Sequence, residues 1–234
     1  LEKKNGWEYY HFPELTEKGI VHGFFTRRSP SSEFRGEEGR AFLDAFSLDD
    51  AVVMDQEHGD EVHVVGSSRP ERGEGILLVR HGIAGVIKTA DCLCVILADP
   101  VLPMAAIVHA GWKGTLKKIT SKALHMMIEK GASVERIVPV FGPSIRSCCY
   151  EVGREVYEGF IREGFSEDVF YERDDRLFLD LVKANTELLK KGGVGPIHDT
   201  GLCTYCNGDV FASYRRGARN ERQVNFVAMK KDLS

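Results

Sequence analysis

The chain has 234 residues, 43% of them apolar and 28% charged, enough to bury a core in one domain without disulfide or metal staples. Lys and Arg number 31 against 35 Asp and Glu, a formal charge of −4, which argues against a dedicated nucleic-acid binder or a polybasic membrane-surface protein. The longest apolar runs, such as Val95-Ile96-Leu97-Ala98, fall far short of the ~20 residues of a membrane span, and the stretch from Leu1 to Trp7 holds no apolar signal core.

Up to about residue 50 the chain reads as irregular structure with short strands. Residues 21–26 are one such strand, residues 28–32 a Ser/Pro loop, and residues 37–47 a short helix. The middle is strand-rich: 75–79, 84–89, 93–98 and 104–108 are apolar runs between turn signals, suited to central strands covered on both faces. A helix is expected from an N-cap at Thr115 to a C′ glycine at Gly131, because Leu116, Ile119, Ala123, Leu124, Met127 and Ile128 share one face. Residues 137–141 read as a strand in which Pro139 marks an edge or bulge. Residues 151–163 and 178–191 read as helices, the second stopping at Gly192-Gly193, and 225–229 as a strand. No repeat, low-complexity tract or long linker appears. The mixed order predicts a single α+β domain over 1–234, a mixed sheet core covered by helices.

Candidate chemistry concentrates in four short runs at element boundaries, where side chains are exposed on a rigid scaffold. They are Gln56-Glu57-His58-Gly59, Thr89-Ala90-Asp91-Cys92, His109-Ala110-Gly111-Trp112-Lys113-Gly114-Thr115 and Ser213-Tyr214-Arg215-Arg216. Cys92 precedes one apolar strand and His109 ends the next. A thiolate with two imidazoles suits a catalytic zinc site of three protein ligands and one open position, with His58 as the third. Spacing alone equally allows a buried free thiol and two structural histidines.

These runs resemble the YfiH-like family, long labelled laccase-domain or polyphenol oxidase. The similarity extends to Phe24-Phe25-Thr26-Arg27, Gly142-Pro143-Ser144-Ile145, Cys148-Cys149-Tyr150-Glu151-Val152-Gly153 and Cys203-Thr204, from about residue 20 to about 229. The resemblance implies a YfiH-like fold and a multifunctional purine nucleoside phosphorylase with adenosine deaminase activity. It implies a metal held by His58, Cys92 and His109. The family's Gly-Gly-Val-Ser stretch is replaced here by residues 28–32, so the pocket is expected to differ there.

Zinc lowers the pKa of bound water to about 7, which supplies the nucleophile a deaminase needs. The His-x-Glu and Pro-Cys-x-x-Cys signature of the familiar zinc nucleobase deaminases is absent, so proton transfer falls to another carboxylate. Asp91, beside Cys92, is the catalytic candidate; a turn or cap role is the alternative. Phosphorolysis needs inorganic phosphate held against the ribose. Arg215, Arg27 and Lys113 are the cations within the shared motifs, and Arg suits bidentate phosphate binding. Trp112 offers a face for a purine, or a core side chain.

The copper-oxidase label is not expected to describe the main function. Multicopper oxidases build their cluster from His-x-His pairs, and the eight histidines here form none. Copper at the His58–Cys92–His109 set in vitro would be incidental, since copper outcompetes zinc for such donors. Cys203-Thr204-Tyr205-Cys206 is half a structural zinc site and is read as loop, with Cys148-Cys149 as packed thiols. The expected partners are purine nucleosides and phosphate, with no nucleic acid or membrane, in the cytoplasm, where cysteines stay reduced. The competing reading is a metal-free cysteine hydrolase or deamidase using Cys92 and His109, which has no need of His58.

Overall fold

Apolar and β-branched runs dominate this sequence, and strands dominate the fold. The structure, a computed structural model, describes residues 1–29, 36–66 and 70–230. Its first half runs β1 (Glu2–Lys4), β2 (Trp7–Tyr10), α1 (Pro13–Glu17), β3 (Ile20–Phe25), α2 (Gly36–Phe46), β4 (Asp50–Val53) and β5 (Val62–Val65). Then come β6 (Gly75–Leu78), β7 (Ile83–Thr89), β8 (Leu93–Asp99), β9 (Met104–Ala110), α3 (Trp112–Leu116) and α4 (Ile119–Glu129). The remainder is β10 (Val138–Phe141), β11 (Glu151–Val152), α5 (Arg154–Arg162), β12 (Phe170–Arg173), β13 (Arg176–Leu179), α6 (Leu181–Lys191), β14 (His198–Asp199) and β15 (Gln223–Met229). Of the loop expected at 28–32, residues 30–32 lie outside the described residues.

The α+β expectation holds, with two stacked sheets as its core. Their orders are β1-β2-β3-β15-β7-β4 and β14-β10-β8-β9-β6-β5; a small sheet, β11-β13-β12, stands apart. Between the two large sheets lie Phe24, Ile87 and Val227 from the first and Cys94, Ile96 and Ile107 from the second. Strand alternation sends Leu93, Val95 and Val108 to the opposite face, against Ala123 and Met127 of α4 and Leu181 of α6. On the outer face of the first sheet, Trp7, Phe25 and Phe226 meet Phe42 and Phe46 of α2, with the Phe46 and Phe226 rings 4.7 Å apart. β8 and β9 are buried along their whole length, as strands covered on both faces must be.

Three expectations change in detail. The helix placed from Thr115 to Gly131 is two helices, broken where Lys118 takes a left-handed φ of 61°. Buried Asn185 of α6 bridges the break: it donates to the Thr115 hydroxyl at 3.0 Å and accepts from Thr120 at 2.6 Å, so the polar groups on both sides of the kink are satisfied. Thr115 caps nothing; its hydroxyl donates back to Ala110 O. The stretches read as helices at 151–163 and 178–191 each begin as strand: Glu151 and Val152 pair with Phe178 and Leu177, and β13 pairs on its other side with β12. The second turns helical only where Asp180 accepts from Lys183 N–H at 2.9 Å. Pro139 does sit at a local edge, since β14 pairs only with Val140 and Phe141.

One buried histidine gives a stability prediction. His22 Nδ1 lies 3.0 Å from Ile20 O and Nε2 accepts from Phe12 N–H at 3.1 Å, a neutral tautomer fixed on both sides. Burial pushes its pKa down from 6.5 to about 4, against the pull of the Ile20 carbonyl. Below pH 6.5 the unfolded chain takes up a proton the folded chain refuses, so stability present above 6.5 is lost as pH falls toward 4. The loss is expected to reach about 3 kcal/mol, and urea titrations of His22→Gln across that window should show a shallower slope than wild type.

Candidate active site

Cys92 stands just before β8, and His109 is the penultimate residue of β9. The antiparallel register pairs Leu93 with Ala110 and Cys94 with His109, so one further step sets Cys92 level with Gly111 and its thiol beside the imidazole. A Cβ at Gly111 would lie 2.9 Å from the Cys92 sulfur; glycine is what leaves the sulfur room. His58 comes from a different segment, the crossing from β4 in one sheet to β5 in the other. Gln56 holds that crossing with its side-chain amide, which bonds both backbone groups of Lys88, at 2.7 and 3.0 Å. His58 and Asp91 take positive φ, 62° and 85°, a conformation that costs about 1–2 kcal/mol and that clusters at functional sites. Donor atoms of His58, Cys92 and His109 all lie within 4.8 Å of one another, and the two imidazole rings are 5.1 Å apart.

Glu74 organises this group from behind. Its Oε2 lies 2.5 Å from His109 Nδ1 and its Oε1 accepts from Glu57 N–H at 2.5 Å; Gly59 N–H donates to it as well. One buried carboxylate thus fixes the ring of one histidine and the loop of the other, and leaves His109 Nε2 for the sulfur. Burial opposes charge on both Cys92 and His109, yet each favours the other's charged form. The His109 charge, with hydrogen bonds from His109 and His58, pulls the Cys92 thiol down to about 6; Cys92 and Glu74 hold His109 well above its ordinary range.

A thiolate, an imidazole backed by a carboxylate and a second imidazole form the donor set of a three-ligand zinc site. The residues fit such a metal. Glu74→Gln is expected to weaken zinc binding about 10–100-fold, measured by competition with a chromophoric chelator. Unchanged affinity would mean that the carboxylate braces only the loop.

The three residues open onto a cavity of about 560 Å³, within the usual range for small-molecule sites. Gln56, Asp91, Trp112, Tyr150, Tyr214 and Arg215 form much of its wall, and exposed Lys113 and Arg222 also line it. Asp91 is buried and engaged on both oxygens, accepting from the Thr204 hydroxyl at 2.7 Å and from Arg215 N–H at 2.8 Å. Arg215 donates one guanidinium N–H to Glu151 O at 2.8 Å and lies over the Tyr150 ring at 5.1 Å. Trp112 packs on the core with one part and faces the cavity with another. The Lys113 ammonium sits 5.6 Å from its ring centre.

Arg27 is not brought to this cavity. Its guanidinium donates to Gly208 O at 2.8 Å and pairs with Glu221 at 2.5 Å, bracing the loop instead. Conversely, the sequence reading missed Glu74, Tyr150, Tyr214 and Arg222 as site residues. Glu74 carried a signal: a charged residue between Gly73 and Gly75, at the mouth of an apolar strand. Tyr150 and Tyr214 lay inside the singled-out runs with no role attached, and Arg222 had no signal at all.

The family described as multi-copper polyphenol oxidoreductase laccase matches residues 36–230. A purine nucleoside phosphorylase of Deinococcus radiodurans is 41% identical over 186 residues, 77% of this chain and 72% of that protein. The purine nucleoside phosphorylase LACC1 of Mus musculus is 33% identical over 193 residues, 79% of this chain and 45% of the mouse protein; this chain spans about half the length of that relative. The adenosine deaminase RL5, from an unknown prokaryotic organism, is 32% identical over 209 residues, 79% of this chain and 80% of its own length. Among crystal structures, Bacillus licheniformis YfiH superposes with a TM-score of 0.83 at 26% identity, covering 93% of this chain and 94% of that one. YlmD of Geobacillus stearothermophilus shares the fold, with a TM-score of 0.84 at 22% identity and coverage of 99% and 98%. Among the described residues, no helix is long and apolar enough to cross a membrane.

Proposed function

The chain belongs to the family described as multi-copper polyphenol oxidoreductase laccase, and from that membership we propose that it is a zinc-dependent purine nucleoside enzyme. Its reactions are phosphorolysis of adenosine, inosine, guanosine or methylthioadenosine to base and sugar 1-phosphate, and deamination of adenosine to inosine. Residues 1–234 act as one catalytic unit in the cytoplasm, a reducing compartment suited to six free thiols. The observation that carries the reading is the meeting, in one cavity, of a three-donor metal site, an aromatic wall and the Arg215 guanidinium. The names borne by the Deinococcus and RL5 proteins point to the same two chemistries.

His58, Cys92 and His109 would hold the zinc, which would supply Lewis acidity and a lowered water pKa at that position. Trp112 and Tyr150 offer faces to the purine. Arg215 and Lys113 draw phosphate to the ribose side, Arg215 through its planar fork and Lys113 as a point charge. Asp91, engaged on both oxygens, is assigned to positioning: it holds the Arg215 backbone and Thr204 against Cys92. The oxidase reading is not adopted, because a three-donor site without His-x-His pairs lacks the ligands of a copper cluster.

One observation favours a second reading. The Cys92 thiol, set level with His109 by the β8–β9 register, faces an imidazole whose Nδ1 is held by Glu74, which is also the arrangement of a cysteine nucleophile and its base. Chromatography of adenosine turnover separates the two. The expected result is adenine only with phosphate present, inosine with or without it, and both lost on chelation. Turnover that survives chelation but not alkylation of Cys92 would replace the zinc enzyme by the cysteine hydrolase.

A further inference from the structure

Four more sulfurs converge outside that donor set. Cys148, Cys149, Cys203 and Cys206 are free thiols whose Sγ atoms all lie within 4.8 Å of one another. Cys149 and Cys206 are 3.4 Å apart, and Cys148 and Cys206 3.8 Å. A tetrahedral zinc with Zn–S bonds of about 2.3 Å holds its sulfurs ~3.8 Å apart. Those two contacts lie at or just below that separation, and the other pairs lie within 4.8 Å.

The convergence is built by main-chain pairing. Ser144 and Cys203 form a parallel bridge, with Ser144 N–H donating to Leu202 O at 3.2 Å and Thr204 N–H to Ser144 O at 3.0 Å. Arg146 adds a side-chain bond to Leu202 O at 3.2 Å and a two-pronged pair with Asp199. Within the Cys203–Cys206 turn, Asn207 closes on Cys203 O through its backbone N–H at 3.1 Å and its side chain at 2.8 Å. Four thiolates around a divalent ion leave two net negative charges. Two guanidinium groups bond carbonyls of residues next in sequence to the cluster: Arg173 donates to Ser147 O at 2.6 Å and Arg216 to Tyr205 O at 3.1 Å.

We infer that Cys148, Cys149, Cys203 and Cys206 form a second metal site, a closed four-thiolate site for structural zinc. Each thiol releases its proton to solvent as its sulfur binds, and nothing is oxidised. Four protein donors leave no open position, so the ion does no chemistry. It ties together the two segments that wall the cavity. Tyr150 follows Cys149, Thr204 lies between Cys203 and Cys206, and Glu151 O holds Arg215. The inference does not depend on the identity of the substrate.

The test is metal analysis and cobalt substitution on the full chain carrying H58A and C92A, which leaves all four cysteines intact. The expected result is about one equivalent of zinc retained and, in the cobalt form, the intense sulfur-to-metal absorption of a four-thiolate site. In C203S/C206S that equivalent is lost while the zinc at His58 stays. The inference is overturned if H58A/C92A binds neither zinc nor cobalt, or if its four thiols react with a disulfide reagent equally fast with and without zinc. Disulfides among the four in metal-replete, freshly purified protein would also overturn it. If C203S/C206S fails to fold, the H58A/C92A spectrum decides alone.

Discussion

His58→Ala is expected to lose zinc from the His58–Cys92–His109 site and, with it, both phosphorolysis and deamination. Removing a ligand takes away the Lewis acid that both reactions share, worth several kcal/mol of transition-state stabilisation, so each kcat should fall by roughly three orders of magnitude or more. The substitution is informative because the Cys92–His109 pair survives it. His109 keeps its Glu74 partner at 2.5 Å, and the β8–β9 register that sets Cys92 beside it does not involve His58. A cysteine hydrolase would lose only the His58 hydrogen bond to Cys92 and keep its base, so its rate would fall far less than that of a metal enzyme. His58 is exposed, so loss of fold is not the expected consequence, and circular dichroism alongside metal analysis checks that. Full purine turnover with metal retained would remove His58 from the ligand set.

Arg215→Ala should divide the two reactions. Its backbone N–H bond to Asp91 survives truncation, so the loop keeps its anchor while the guanidinium is lost. A charge-assisted bond to phosphate contributes about 1.5–3 kcal/mol. Phosphorolysis measured as kcat/KM for phosphate is thus expected to fall about 10–100-fold, with adenosine deamination changing less than about threefold. Arg215→Lys should restore only part, because an ammonium lacks the planar fork. Equal losses in both reactions would mean that Arg215 acts through the wall, by its contacts with Tyr150 and Glu151, rather than on phosphate.

Much of the second sheet was legible because β8 and β9 are uninterrupted apolar runs, and a run covered on both faces needs no alternation to be recognised. The meeting of Cys92 with His109 was legible only as a possibility, since it rests on a pairing register that the residue order does not state. Where polar side chains decide, the sequence reading fell short. The break at Lys118 is bridged by Asn185, which is remote in sequence and buried in another helix. Glu74 drew no reading at all, and its part shows only once His109 is placed on it. The thiol cluster was invisible as a unit because Cys148-Cys149 and Cys203-x-x-Cys206 meet through the Ser144–Cys203 bridge, a contact between segments far apart in the chain. Arg27 shows a different limit: it lies inside a shared motif, yet its guanidinium pairs with Glu221 away from the residues that line the cavity.

The place of β15 has a consequence for how the molecule comes into being. β15 pairs with β3 on one side and β7 on the other, so it is a central strand of the first sheet although it is the last of that sheet to be synthesised. Until residues 223–229 are made, β3 and β7 each lack the neighbour that fills one of their hydrogen-bonding edges. Nascent chains halted before Gln223 would hold two separate strips of sheet, each with an open edge of the kind that recruits other chains. The second sheet, whose strands all precede β15, is free to form earlier, so the nucleus of folding is expected around β8 and β9.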